Sequence, residues 1–272
     1  MKFAIQDTLS GLGSYAKVFP FAKEVGYDGV EINLFQQPLN DALASDISKA
    51  SESSGVPVAA VCGGHRHWIG HFDEEKRLEA VRDVRQSMKH ASQMGAPGMI
   101  TPAAFGMYPR TWPPFAPPRD RQGDRDALLD SLKRIAEEAE KRQVVLFLEP
   151  LNRYNDHMIN TVADAVSILE EVGSPLLRVV ADFFHMNIEE ADIVETIKSY
   201  YTRIGYYHLA DNNRLLPGKG HLDFRKPFAK LAELNYSGYL SIECTMGPDI
   251  RESLEEALRY LRSSAAAAAL AD

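Results

Sequence analysis

Eight short apolar runs alternate with amphipathic helical patterns along the whole chain, and this rhythm leaves few folds open. The runs cover Lys2–Gln6, Asp28–Asn33, Pro57–Cys62, Gly98–Pro102, Val144–Glu149, Arg178–Asp182, Gly205–Leu209 and Tyr239–Cys244. They show little polar alternation, as expected for strands buried on both faces of a parallel sheet. Between them, Glu74–Met94 carries Leu78, Val81, Val84 and Met88 at helical spacing and stops at Gly95. Asp124–Arg142 repeats Leu128, Leu132, Ile135 and Ala139, and Thr161–Val172 ends before Gly173 and Pro175. The alternation predicts an α/β fold, a (β/α)8 TIM barrel, with a doubly wound sheet as the alternative. A barrel of this kind takes about 250 residues. The 272 residues are therefore expected to form a single domain, 1–272. The Ala-rich tail, 263–272, either extends the last helix or frays.

Four of the predicted strands end in side chains able to bind a metal: Glu149, Asp182, His208 and Glu243, spaced 33, 26 and 35 positions apart. Each gap fits one strand–helix step, and the carboxyl ends of barrel strands meet at one face. A Glu closing an apolar run, as in LFLEP or YLSIE, is costly to bury unless paired or coordinated. Four such residues on successive strands are hard to explain as helix caps. Three carboxylates and one imidazole form a hard donor set, suited to one Mn²⁺, with Mg²⁺ or Co²⁺ as alternatives. His185, three residues after Asp182, and Arg214, beside the Pro217–Gly220 turn, are expected to meet a ligand there. The segment CGGHRHWIGHFD brings Cys62, His65, His67, Trp68 and His71 to the same face. It reads as a sugar-binding wall, because the fourth strand ends in TPAAF and offers no donor for a second metal. Trp68 or Trp112 can cover the apolar face of a carbohydrate. Glu31 is either a further polar contact or an acid paired with Arg or Lys. The long Pro- and aromatic-rich loop from Ala103 to Gly123 is expected to be a lid or an interface.

A formal net charge of −8 argues against a nucleic-acid partner. Only two cysteines, Cys62 and Cys244, imply no disulfide framework and fit a reducing compartment. The first ten residues do not read as a signal peptide, and no run approaches the ~18 apolar residues of a membrane span. A cytoplasmic protein with no membrane association is the expectation. Gly11-Leu12-Gly13 lacks the context of a phosphate loop.

The segments EPLNRYN, ADFFHMNIEE, HLADNNRLLPGKGHLDF and GYLSIE resemble the xylose-isomerase-like sugar isomerase/epimerase superfamily, and within it most resemble the D-tagatose/D-psicose 3-epimerase group. The resemblance implies metal ligation by Glu149, Asp182, His208 and Glu243, with Glu149 and Glu243 also serving as the catalytic acid and base. It implies substrate contact by His185 and Arg214, and pocket wall at Cys62 and Trp112. Where ketose 3-epimerases carry a substrate-binding Glu at the end of EPLNRYN, this chain has Asn155. That departure opens the substrate to sugar acids, inososes or 3-keto-glycosides. Members of the group pair through barrel-end loops, so the resemblance also implies a dimer or tetramer.

The resemblance implies a metal-dependent sugar epimerase or isomerase, first of all a ketose 3-epimerase. One Glu takes the proton beside the carbonyl, giving an enediolate, and the other returns a proton to the opposite face. An inosose-type dehydratase and a hydroxypyruvate or aldose–ketose isomerase need the same residues and stay open. An endonuclease-IV-like repair enzyme would need more His, including one on the fourth strand, and a basic groove.

Overall fold

The structure, a computed structural model, describes residues 1–110 and 113–269. Eight strands close into a parallel barrel in chain order, with the last paired to the first. They are β1 (Lys2–Gln6), β2 (Gly29–Leu34), β3 (Val58–Gly63), β4 (Gly98–Pro102), β5 (Val145–Glu149), β6 (Leu177–Asp182), β7 (Ile204–Leu209) and β8 (Tyr239–Ile242). Closure excludes the doubly wound alternative, which leaves two open edges. The helices are α1 (Tyr15–Val25), α2 (Asp41–Ser54), α3 (Glu74–Gln93), α4 (Arg121–Arg142), α5 (Val162–Val172), α6 (Phe183–Glu189), α7 (Ile193–Tyr200), α8 (Arg225–Glu233) and α9 (Ile250–Ala269). Among the described residues, no helix is long and apolar enough to cross a membrane.

Local sequence explains most of the boundaries. The Thr161 hydroxyl accepts from Asp164 N–H while the Asp164 carboxylate accepts from Thr161 N–H, a reciprocal cap that starts α5. Asp120 caps α4 through Gly123 N–H, so that helix begins before the apolar spacing at Leu128 becomes visible. The tail continues α9 as far as Ala269, as Ala favours. β8 ends one residue before Glu243, whose N–H nonetheless donates to Leu209 O at 3.1 Å and stays tied to β7.

Two apolar layers hold the barrel. Ile, Leu, Val and Phe side chains fill the space between strands and helices. Inside the barrel, Ala4, Ala59, Ala60, Ile100, Phe147, Val180 and Tyr206 pack together. The Phe147 ring leaves no space for a side chain at Gly98 or Gly205, where a Cβ would lie 2.3 and 2.6 Å from it. Above this plug the interior becomes polar. Strand register sets Asp182 beside His208 and Glu149 beside Pro102, so the donors reach one level at the carboxyl ends.

Just beyond β1, Asp7 is buried and accepts Asn33 N–H at 2.9 Å. Burial pushes its carboxyl up to about 6 against the pull of that hydrogen bond. A raised carboxylate pKa favours folding when protonated, so this contribution is present below the unfolded value and lost as pH rises through 6. Asp7→Asn, which keeps the acceptor without the charge, is expected to match the parent protein near pH 4. Near pH 7 it should be more stable by about 2–3 kcal/mol. Urea melts of both proteins at the two pH values check this; a difference that does not grow with pH refutes it.

Candidate active site

At the carboxyl-end face, ligand atoms of Glu149, Asp182, His208 and Glu243 all lie within 4.8 Å of one another. His208 Nδ1 is 2.9 Å from a Glu149 oxygen and 3.0 Å from a Glu243 oxygen. Arg214 bridges the other side, through one nitrogen to Asp182 and through a second to Glu243 at 2.8 Å. Glu31 lies behind the cluster, fully buried, with its oxygens 3.1 and 3.2 Å from His208 Nε2. Of the two readings its sequence position left open, pairing with Arg or Lys is not found among the described residues: its ion-pair partner is a histidine.

Four carboxyl groups therefore crowd around His208 and Arg214, and negative charge is in excess, the more so when His208 is neutral and free to ligate through Nδ1. A buried excess of negative charge suits a divalent cation. The donors fit it chemically: three carboxylates and one imidazole on rigid strand ends, a set that favours Mn²⁺, Mg²⁺ or Co²⁺. The electrostatics of the side chains are consistent. Burial pushes Glu149 up to about 7, against the pull of His208. Burial also acts to raise Glu243, but His208 and Arg214 outweigh it and hold that carboxyl well below the usual range. His208 is lowered by burial and raised more strongly by Glu31, Glu243 and Glu149, ending well above its ordinary value.

Asp182 has two duties. One oxygen accepts Phe184 N–H at 2.7 Å and caps α6, while the other faces Arg214 and, at 3.7 Å, His185. Asp182 is thus both a helix cap and a member of the cluster. His185 accepts Asn152 N–H on Nδ1 at 3.0 Å. A main-chain nitrogen can only donate, so the neutral ring carries its proton on Nε2, on the side of Asp182. Burial holds His185 down, at about 4, so it acts there as an uncharged donor.

Arg214 is held by its loop. Its φ of +62° is in the left-handed region, a sparsely populated conformation that its surroundings must maintain. Fully buried Asp211 accepts N–H groups from Asn212, Gly218 and Leu222, winding the loop around itself. A Cβ at Gly220 would fall 2.2 Å from Asp211 and Asn212, so the PGKG run needs glycine there for close approach. The Arg214 guanidinium also stacks 4.9 Å over Phe184.

A cavity of about 370 Å³ opens above the cluster. Asn33, Cys62, Trp68, Asn155, His185 and Arg214 line it together with Glu149 and Glu243, and Phe35, Phe105 and Phe184 add apolar wall. Trp68, Phe35 and Phe105 meet pairwise with ring centroids 5.8 Å apart. Two larger hollows, about 610 and 900 Å³, lie elsewhere and contain none of the four donors. Cys62 sits on the wall with its thiol pushed well up by burial and by Glu31.

His65 takes a different place from the one expected. It is buried behind Trp68, with Nδ1 bonded to His67 O at 2.7 Å and Nε2 to the Thr101 hydroxyl at 2.8 Å. With both nitrogens engaged, it supports the Trp68 ring edge-on and presents nothing to the cavity. Trp112 lies outside the described residues. Asn33, Phe35, Phe105 and Asn152 are site residues that sequence reasoning missed. Phe35 and Asn33 directly follow or end an apolar strand, which was the available signal.

The family model described as a xylose isomerase-like TIM barrel matches residues 19–264. The chain is 36% identical over 264 residues to a 3-dehydro-D-guloside 4-epimerase of Escherichia coli K12, covering 97% of this chain and 100% of that protein. It is 27% identical over 247 residues to a D-psicose 3-epimerase of Agrobacterium fabrum, covering 87% and 84%. A crystal structure of a 3-keto-D-glucoside 4-epimerase from E. coli, in its apo form, superposes with a TM-score of 0.91 at 35% identity, covering 97% of this chain and 99% of that one. The chain thus belongs to the xylose isomerase-like TIM barrel family, with D-psicose and other ketose 3-epimerases among its homologues.

Proposed function

We propose that this protein is a divalent-metal-dependent sugar epimerase that inverts a carbon beside a carbonyl, with a 3-keto-glycoside inverted at C4 as the preferred substrate. The observation that carries the reading is the meeting of Glu149 and Glu243 with a hard donor set, Arg214 and a neutral His185 on the floor of one sugar-sized cavity. Ketose 3-epimerisation and 3-keto-glycoside 4-epimerisation are one chemistry, since in each the inverted carbon adjoins the carbonyl carbon. The full-length similarity to a 3-dehydro-guloside 4-epimerase supports the second. So does Asn155 on the cavity wall, where ketose 3-epimerases carry Glu. Ketose 3-epimerisation is the second reading, supported by the similarity to D-psicose 3-epimerase.

Glu149, Asp182, His208 and Glu243 would hold a divalent ion, which would supply Lewis acidity to the reacting part of the sugar. Glu149 and Glu243 flank the reacting carbon from opposite sides: one takes its proton, and the other gives a proton to the opposite face. Arg214 donates to oxygen as negative charge builds in the enediolate, and the Nε2–H of His185 adds a second donor. Phe35, Trp68 and Phe105 keep water from that carbon and cover the apolar side of the sugar.

The test is proton NMR in D₂O with the Mg²⁺-loaded protein, offering methyl 3-keto-glucoside, D-fructose and D-psicose. Deuterium at C4 of the glycoside together with the C4 epimer is the expected result. Exchange at C3 of the ketoses alone transfers the assignment to the second reading, and dehydration of the product to a lyase. No exchange with any of them, under Mg²⁺ or Mn²⁺, overturns the proposal.

A further inference from the structure

Glu31 is a buried carboxylate that the mechanism above does not use. It stands on β2, fully buried, within hydrogen-bond distance of Gln6 and His208. Gln6 Nε2 on β1 donates to it at 2.8 Å, and His208 Nε2 lies 3.1 Å from one of its oxygens and 3.2 Å from the other. Among the described residues no Lys or Arg is paired with it. Gln6 in turn accepts from Asn33 Nδ2 at 3.1 Å. This polarity is set by chemistry: a carboxylate offers only acceptors, so Gln6 must turn its NH₂ toward Glu31 and its oxygen toward Asn33. The same requirement applies to His208, whose Nε2 must carry hydrogen wherever Glu31 remains a carboxylate, because a buried carboxylate without donors is costly.

We infer that Glu31 is the positioning residue of the proposed metal centre. It holds the His208 proton on Nε2 and leaves Nδ1, which faces Glu149 and Glu243, as the ligating atom. This assignment depends on the metal-dependent reading given above. Metal-binding histidines commonly donate their other ring N–H to a carboxylate, which orients the ring and raises its basicity; loss of that partner typically costs 10–100-fold in metal affinity. The support comes from a strand on the far side of the barrel mouth, so β2 contributes to the centre without supplying a ligand.

Two measurements test it. Calorimetric titration of the apo protein with Mn²⁺ is expected to give a Kd about 10–100-fold weaker for Glu31→Gln than for the parent protein. A parent protein that binds Mn²⁺ with an unchanged Kd in the folded variant overturns the role of Glu31 alone. A parent protein that binds no Mn²⁺ overturns the metal-dependent reading and this inference with it. Should the variant not fold, the parent protein labelled with ¹⁵N-histidine and loaded with Zn²⁺ as a diamagnetic probe decides the matter. The His208 signal, assigned by its absence in His208→Gln, is expected to show Nε2–H with Nδ1 metallated. A proton on Nδ1 with Nε2 metallated overturns the inference.

Discussion

Glu243→Gln is expected to lower kcat by about three orders of magnitude at saturating metal, within the range by which positioned acid–base groups accelerate proton transfer. Gln has the same shape and keeps one oxygen for coordination, so the change removes mainly the charge and the basic atom. Glu243 suits this role because Arg214 at 2.8 Å and His208 at 3.0 Å hold it ionised in a buried setting. Loss of turnover alone does not separate a base from a ligand, so the exchange pattern is the sharper measurement. Inversion needs both faces of the carbon, whereas exchange with solvent needs only one. Glu243→Gln and Glu149→Gln should therefore both stop epimerisation, yet each should still exchange deuterium into one epimer, and into opposite ones. If both variants exchange the same epimer, or Glu243→Gln turns over near normally, the two-base assignment is wrong.

Much of this arrangement was legible in the chain because a barrel repeats one unit. Each apolar run is a strand with both faces buried, and the carboxyl ends of such strands have only one place to go. Residue spacing thus sufficed to bring Glu149, Asp182, His208 and Glu243 to one face. What stayed hidden depends on closure and rotamer. Glu31 and His208 are 177 positions apart and touch across the barrel, so no local pattern pairs them. The two nitrogens of His185 are distinguished only by Asn152 N–H, a main-chain donor that sequence does not display. α6 escaped notice because Phe183–Glu189 is two turns long and opens with paired aromatics, a run that reads equally well as strand. His65 misled for the opposite reason: a histidine after a strand looks exposed, but Trp68 folds over it and Thr101 satisfies it from β4.

Withdrawal of the proposed metal should abolish turnover and loosen the fold together. Four carboxyl groups are gathered around His208 and Arg214, and the ordering of the donors then has to be maintained against their mutual repulsion. A ligand present at about 100 times its Kd stabilises the folded state by roughly 2.7 kcal/mol. For a chain of this size each kcal/mol moves Tm by about 2–4 °C, so a chelated sample should melt roughly 5–10 °C below one with excess Mn²⁺. Turnover should return on adding Mn²⁺, and at least in part on adding Co²⁺ or Mg²⁺, since the donor set is hard. Asp182→Asn is the control that ties the shift to this site. Its amide oxygen can still cap α6 by accepting Phe184 N–H, but the charge that faces Arg214 and the proposed ion site is lost. The variant should therefore fold, while its Tm responds to Mn²⁺ far less than that of the parent protein. A chelated parent protein with unchanged Tm and full activity, or an Asp182→Asn protein with an undiminished Mn²⁺ shift, would place the ion elsewhere or remove it from the reaction.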